Sequence, residues 1–289
     1  MTNGTYPTIP NERADDLHNL KWADSADLVL FMAGNQFMAL DELICAFQEN
    51  HPEVRRIFFE TLPPGLELKQ ILSGGAYFMG EFLSVYPDVY ASVNEKAMIT
   101  LADCGHINEG GYFLYLKNRL ALMVRAGNPA GITGVSDLVK PGIRISQPNP
   151  EYEDIGHHIL HMYRDSGGDK TVKTIMETKK EAGETVLTVV HHRETPERVA
   201  AGAADVGPVW ATECLHAAKS GLPVEMIDVG PERDQHERIN YYICRLNKGL
   251  NTKNAETFLA FIRSETAAGI YEKHGFTAVR PDVAKVSGL

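Results

Sequence analysis

The stretch "PNPEYEDIGHHILHMYRDSGG", residues 148–168, gathers His157, His158 and His161 behind Glu151, Glu153 and Asp154. Imidazoles and carboxylates are the natural ligand set for a divalent ion such as zinc. On a helix, the 157/161 and 158/161 pairs share a face one turn apart. His192, in "VVHHRET", offers a further ligand from a separate segment, so the metal set readable here is His158, His192, Asp154 and Glu153. Other features favour an ordinary polar surface. Neighbouring histidines point in different directions on a helix, and on a strand they alternate faces. At most one of His157 and His158 can therefore face a given site. The acids ahead of the histidines are favoured by a helix dipole without any ligand. No H-E-x-x-H is present. His158 is the histidine expected to face a cleft, and His161, three residues before Arg164, is expected outside it.

Catalytic constellations are missing from the sequence. There is no G-x-S-x-G elbow, no P-loop lysine and no G-x-G-x-x-G after the first strand. Glu153 and Asp154 are chain neighbours, which does not make them an acid–base pair. The reading is of a binding protein and not an enzyme.

Composition agrees. The chain has 289 residues, 44% hydrophobic and 23% charged, with a net charge of −10. That excess of acid argues against a nucleic-acid surface, which needs clustered Lys and Arg. A small anion is still compatible, because a few N–H groups at a helix start can hold it. Cys45, Cys104, Cys214 and Cys244 are scattered with no C-x-x-C, so buried thiols are expected rather than a metal ribbon. No run approaches the ~20 apolar residues of a membrane-spanning helix. The start, "MTNGTYPTIPNERADDLHNLKW", lacks the pattern of a secretory signal. A cytoplasmic place is expected if the chain is full length, and a periplasmic or extracellular one if a leader was removed.

The elements that would position these residues alternate. Residues 1–24 read as a loose lead-in. "ADLVLFMAG" reads as a buried strand ending at Gly34. In "QFMALDELICAFQENHP", Phe37, Leu40, Leu43, Ile44 and Phe47 have helical spacing, stopped by Pro52. "VRRIFFET" and "PDVYASV" read as strands, and "PPGLELKQILSGG" and "NEKAMITLADCG" as helices. "YLKNRLALMVRAGNP" reads as one longer strand, and a helix is expected from about Ile155 to Arg164, ended by "DSGG". "INYYICRL" reads as a strand, followed by two helices joined around Ser264. Strand alternating with helix predicts a parallel, doubly wound α/β sheet.

Seven blocks in order resemble the molybdate/tungstate-binding proteins of ABC importers, within the type II periplasmic-binding-protein superfamily. They are "LFMAGNQFMALDELICAFQENHPEV", "GLELKQI", "PDVYAS", "KNRLALMVRAGNP", "DLVKPGIRISQPNP", "VAAGAADVGPVWATE" and "AFIRSETAAGIYEKHGF", spread over roughly residues 27–280. The resemblance implies two doubly wound lobes joined by two hinge strands, with a ligand cleft between them. Lobe 1 would comprise 25–116 plus 232–289, and lobe 2 would comprise 117–231. The family's contact positions fall on Gly34, Asn35 and Gln36, on Pro63-Pro64-Gly65 with Thr61 nearby, on Glu153-Asp154-Ile155, and on Glu194-Thr195 with Val209-Trp210. The chain departs from the family pattern where Ser or Thr hydroxyls usually donate. Asn35 and Gln36 offer amides instead, Pro63 and Pro64 offer nothing, and Trp210 replaces a tyrosine.

The expected ligand set is therefore Gly34, Asn35, Gln36, Thr61, Gly65, Asp154, Thr195 and Trp210. The expected function is non-enzymatic binding of a small inorganic oxyanion, molybdate, tungstate or sulfate in type, with hinge closure around it. A divalent metal held by the histidines and acids is the alternative, and an enzyme on a binding-protein scaffold is the second. No resident cofactor is required. The expected partners are the small inorganic ligand and, if the chain is exported, a membrane permease. No nucleic acid or membrane insertion is expected, and the chain is expected to be a monomer.

Overall fold

The computed structural model describes residues 6–190 and 194–280. In chain order the first elements are β1 (Thr8–Ile9), β2 (Leu17–His18), β3 (Leu28–Phe31), α1 (Phe37–Asn50), β4 (Ile57–Glu60) and α2 (Pro64–Ser73). There follow β5 (Ala76–Phe78), β6 (Glu81–Leu83), β7 (Val89–Ser92), α3 (Glu95–Asp103), β8 (Tyr112–Lys117), β9 (Leu120–Arg125) and β10 (Ile145–Gln147). The chain continues through α4 (Asp154–Lys173), α5 (Lys179–Glu181), β11 (Thr185–Leu187), α6 (Glu194–Ala200), β12 (Val206–Trp210), α7 (Ala211–Lys219) and β13 (Val224–Ile227). It ends with β14 (Asn240–Arg245), α8 (Thr252–Ile262), α9 (Glu265–Lys273) and β15 (Thr277–Ala278). These elements form two compact units. The first is built from residues up to Lys117 and from Asn240 onward, and the second from Asn118–Ile239.

The first unit is built on a seven-stranded sheet in the order β15-β8-β14-β7-β3-β4-β2. Its centre, β7-β3-β4, is parallel, as the alternation of strand and helix predicts. Antiparallel strands are added on both sides, by β14 against β7 and by β2 against β4. All four residues of β3 are buried, which is why "LVLF" is apolar without a break. The spacing of α1 buries Leu40, Leu43, Ile44 and Phe47. Phe47 meets Phe258 of α8 edge to face at 5.2 Å between centroids. Asn94 caps α3 by accepting from the Ala97 N–H, and Ser264 caps α9 by accepting from the Ala267 N–H.

The first unit departs from the sequence reading at its start. Residues 6–24 are folded, not a loose lead-in. β1 pairs with β5 in a small sheet completed by β6, and β2 pairs with β4. Ile9 and Leu17 share one apolar cluster with Val29 and Phe31, so burial of these two residues ties the segment down.

The second unit has a five-stranded sheet in the order β11-β10-β12-β9-β13. β10 lies parallel to both β11 and β12, and β9 runs antiparallel to β12 and β13. The stretch expected as one strand breaks at Asn118-Arg119 into β8 and β9, where the chain leaves the first unit. Residues 232–239 fall in the second unit rather than with lobe 1. Leu120 N–H donates to the Asp234 carbonyl and Gln235 Nε2 to the Asp165 carboxylate, holding the segment against β9 and α4. α4 does not stop at Arg164. It continues to Lys173 with a kink at Gly167-Gly168, where Gly168 takes φ 69°. Cys214 and Cys244 are buried as expected, whereas Cys45 and Cys104 are exposed. Among the described residues no helix is long and apolar enough to cross a membrane.

Candidate functional site

In a twisted open sheet, ligands bind beyond the carboxyl ends of parallel strands, where helices begin. In the first unit that edge is formed by the segments after β3, β4 and β7. After β3 the chain makes a tight 3-10 turn, Gly34–Gln36. Gly34 has no room for a side chain, because a Cβ would press into the backbone carbonyl of Thr61. Gln36 is fully buried, and its Oε1 accepts from the hydroxyls of Tyr115 (2.8 Å) and Tyr271 (3.0 Å). The Asn35 amide is bound to the Tyr241 hydroxyl. Both side-chain amides are therefore turned into the core of the unit.

After β4, the Thr61 hydroxyl donates to Asp16 at 3.1 Å and lies 3.2 Å from His18 Nε2. It, too, is used inside the fold. Gly65, in the first turn of α2, is exposed, with nothing within 4 Å of where a Cβ would stand. Its N–H belongs to the first helical turn, whose donors have no partner within the helix.

Sequence reasoning missed the third segment, after β7. A hollow of about 200 Å³ lies where α2 and α3 begin, lined by Gly65, Tyr90, Ser92, Asn94, Lys96 and Thr100 among others. No Asp or Glu lines it. Ser92 is fully buried at the last position of β7. Tyr90 ties β7 to α2 by donating to the Pro64 carbonyl at 2.9 Å. The clue in the sequence was "SVNEK", a serine two residues before an Asn cap, followed by a lysine in the first helical turn.

Beneath this edge lie two carboxyls, Glu60 at the end of β4 and Glu67 in the first turn of α2, both fully buried. Burial raises Glu60 to about 8, against a 3.0 Å hydrogen bond from Gln70 Nε2 that favours its charged form. Burial, with Glu60 nearby, also pushes Glu67 well above the usual carboxylate range. Buried acids without a cation beside them stay protonated. The helix start is thereby kept from carrying extra negative charge.

In the second unit, Glu153 stands just before α4 without a capping bond from its side chain; it is buried, and its carboxylate accepts from the Thr188 hydroxyl. Asp154 opens α4, and burial raises it above its ordinary value. His158 lies 5.9 Å from the Trp210 ring, centroid to centroid. Burial depresses His158 to about 4, and a proton there is further disfavoured by the nearby His161, His157 and Arg238. Arg238 donates to His161 Nδ1 at 3.1 Å. Only an unprotonated nitrogen can accept that bond. Arg238 was also missed from sequence, because 77 positions separate it from His161. Thr195 is fully buried in α6, with its hydroxyl 3.0 Å from that of Ser146. Its methyl occupies the space where a side chain on Gly207 would stand. Trp210 is buried at the end of β12, just before α7.

The proposed metal set is not assembled among the described residues. Glu153 is held by Thr188, a guanidinium stands beside the histidines, and no group of three His, Cys, Asp or Glu is placed to hold an ion. His192 lies outside the described residues.

Comparison with known proteins extends the picture. A family model of bacterial extracellular solute-binding proteins matches residues 28–277. A relative from Bacillus subtilis (strain 168), YvgL, assigned as an ABC transporter substrate-binding lipoprotein, is 25% identical over 252 residues, 87% of this chain and 86% of its own. The periplasmic molybdate-binding protein of Azotobacter vinelandii superposes with a TM-score of 0.68 at 20% identity, covering 88% of this chain and 100% of that one. The sulfate-binding protein SubI of Mycobacterium tuberculosis superposes with a TM-score of 0.69 at 18% identity, covering 88% and 86%. At such identities the superpositions establish the fold.

Proposed function

The chain belongs to the bacterial extracellular solute-binding protein family and has the type II periplasmic-binding-protein fold, and we propose that its solute is a small inorganic oxyanion of the molybdate, tungstate or sulfate type. The observation that carries this reading is the hollow at the starts of α2 and α3. Gly65, Ser92, Asn94 and Lys96 are among its lining residues, and no Asp or Glu is. Two helix N-termini add positive potential there. Asn35 and Gln36 act in this reading as braces that fix the turn after β3, and its backbone, not its amides, meets the ligand. In the second unit Arg238 supplies positive charge beside His158 and His161. That charge favours an anion and disfavours a divalent cation on the same imidazoles. Asp154, raised by burial, would donate when protonated.

Family membership further supports a role outside the cytoplasm, delivering solute to a membrane permease, with closure of the two units on the ligand as the working motion. The test is thermal unfolding of chelator-treated protein with molybdate, tungstate, sulfate, phosphate, zinc, nickel or copper added singly. A ligand at 100 times its Kd stabilises by about 2.7 kcal/mol. A rise in Tm with an oxyanion, unaffected by chelator, is expected. A rise with a metal alone would overturn the proposal, and no rise with any of them would point to an organic solute.

A further inference from the structure

A second cavity lies at the other end of the first unit's sheet. It has a volume of about 290 Å³ and is lined by Asn108, Gly110, Phe113, Arg245, Asn247 and Arg263, among others. Arg245 ends β14 opposite Val89, the first residue of β7. The cavity therefore sits at the amino end of β7, away from the carboxyl edge described above.

Its chemistry is that of an anion receptor. Two guanidiniums line it, and no acidic residue does. That composition stands out in a chain with 38 acidic and 28 basic residues. Arg56, Arg119, Arg144 and Arg280, for comparison, each face a carboxylate within 3.2 Å. Arg263 instead lies over the Phe113 ring, its Cζ 3.7 Å from the centroid. Stacking fixes the guanidinium plane and leaves its N–H edge available. No ion pair to Arg263 is present among the described residues. Among the described residues Arg245 has one looser carboxylate neighbour, Glu256 at 3.6 Å, itself 63% exposed, and donates to the Leu246 carbonyl at 3.4 Å. The 108–111 turn and Asn247 are tied together: Asn247 Nδ2 donates to Asn108 Oδ1 at 3.3 Å, and Asn247 N–H donates to the His106 carbonyl at 2.8 Å. Gly110, at φ 68°, has nothing within 4 Å of a Cβ position, so its backbone is open to close approach.

We propose that Arg245 and Arg263, with the 108–111 turn, form a second anion-binding pocket, selective for a compact phosphate or carboxylate group on a small molecule. Paired guanidinium forks match both groups bidentately. This site is independent of the oxyanion reading above.

The test follows the arginine Nε–H resonances of the full chain during separate titrations with inorganic phosphate and succinate, with sodium chloride at matched ionic strength as control. Saturable shifts at Arg245 and Arg263 with phosphate, succinate or both would support the pocket, and the effective anion would identify the group. The response should persist in Lys96→Ala, which alters the other edge of the unit. It should disappear at Arg245 in Arg263→Gln and weaken about tenfold in Arg263→Lys, which keeps the charge but loses the planar fork. Linear shifts reproduced by chloride, or no shift with either anion, would overturn the proposal.

Discussion

At the residue scale, the side chains that decide the candidate site are engaged by partners far away in sequence. Gln36 is held by tyrosines 79 and 235 positions away, and Thr61 is held by Asp16, 45 positions away. Amide or hydroxyl character was legible in the sequence, but whether it faced a ligand or the core was not. Gly34 is the reverse case. A glycine ending an apolar run already marks a close approach, and the approach is to the Thr61 carbonyl. Gly34→Ala is expected to destabilise the protein by about 1–3 kcal/mol in urea unfolding, because backbone and not a flexible side chain must yield.

The buried carboxyls give a second expectation. Burial pushes Glu60 up to about 8 in the fold, against an ordinary carboxyl value of 4.5. Between those values the unfolded chain has lost a proton that the folded chain keeps, so this group's contribution to stability declines as pH rises across the window. The groups around it are Glu67, Asp16 with its partner Arg13, Gln70, and His18 through Thr61. Glu60→Gln mimics the protonated acid. Its Tm should fall less than the wild type's between about pH 5 and pH 8.5. An unchanged slope would mean that Glu60 is ionised throughout.

His158 gives a third. An ordinary imidazole protonates near 6.5, so a cation held by such a histidine would be lost on acidification through that value. In the fold His158 sits at about 4, so its charge is constant across the neutral range. Affinity for the solute should show no His158-dependent inflection near pH 6.5, and wild-type and His158→Gln binding curves should run parallel there.

At the element scale, segments with local signals were legible. The apolar spacing of α1, the Pro start and Gly stop of α2, and the Ser264 junction between α8 and α9 all depend on neighbours within a few residues. Elements fixed by distant pairing were not. β2 exists because β4 offers it an edge, and β8 and β9 part at Asn118 because the chain changes sheets there, a change that the polar run Lys117-Asn118-Arg119 does not by itself distinguish from a turn. The kink in α4 lies between these cases, since the glycine pair marked the spot but not that the helix resumes. Ser264→Ala removes a cap at a junction legible in sequence. It should cost about 1 kcal/mol, restored by Ser264→Asp, in chemical denaturation.

At the scale of the whole molecule, the resemblance of seven ordered blocks located the family and fold, and the family match over residues 28–277 confirms that level. Segment order survives divergence because it reflects topology, whereas a ligand is chosen by a few side chains. Here those side chains depart from the family pattern. The loss of hydroxyls at Pro63 and Pro64 looked like a thinned donor set, but the fold places Ser92, Asn94 and Lys96 near Gly65. The central claim is that these donors hold an oxyanion. Calorimetric titration of chelator-treated wild type and Lys96→Ala with molybdate and with sulfate tests it most directly. One of the two anions should bind the wild type, and Lys96→Ala should weaken that binding by about tenfold or more, the value of one charge-assisted hydrogen bond. Equal affinity in both proteins, or binding of neither anion, would contradict the account.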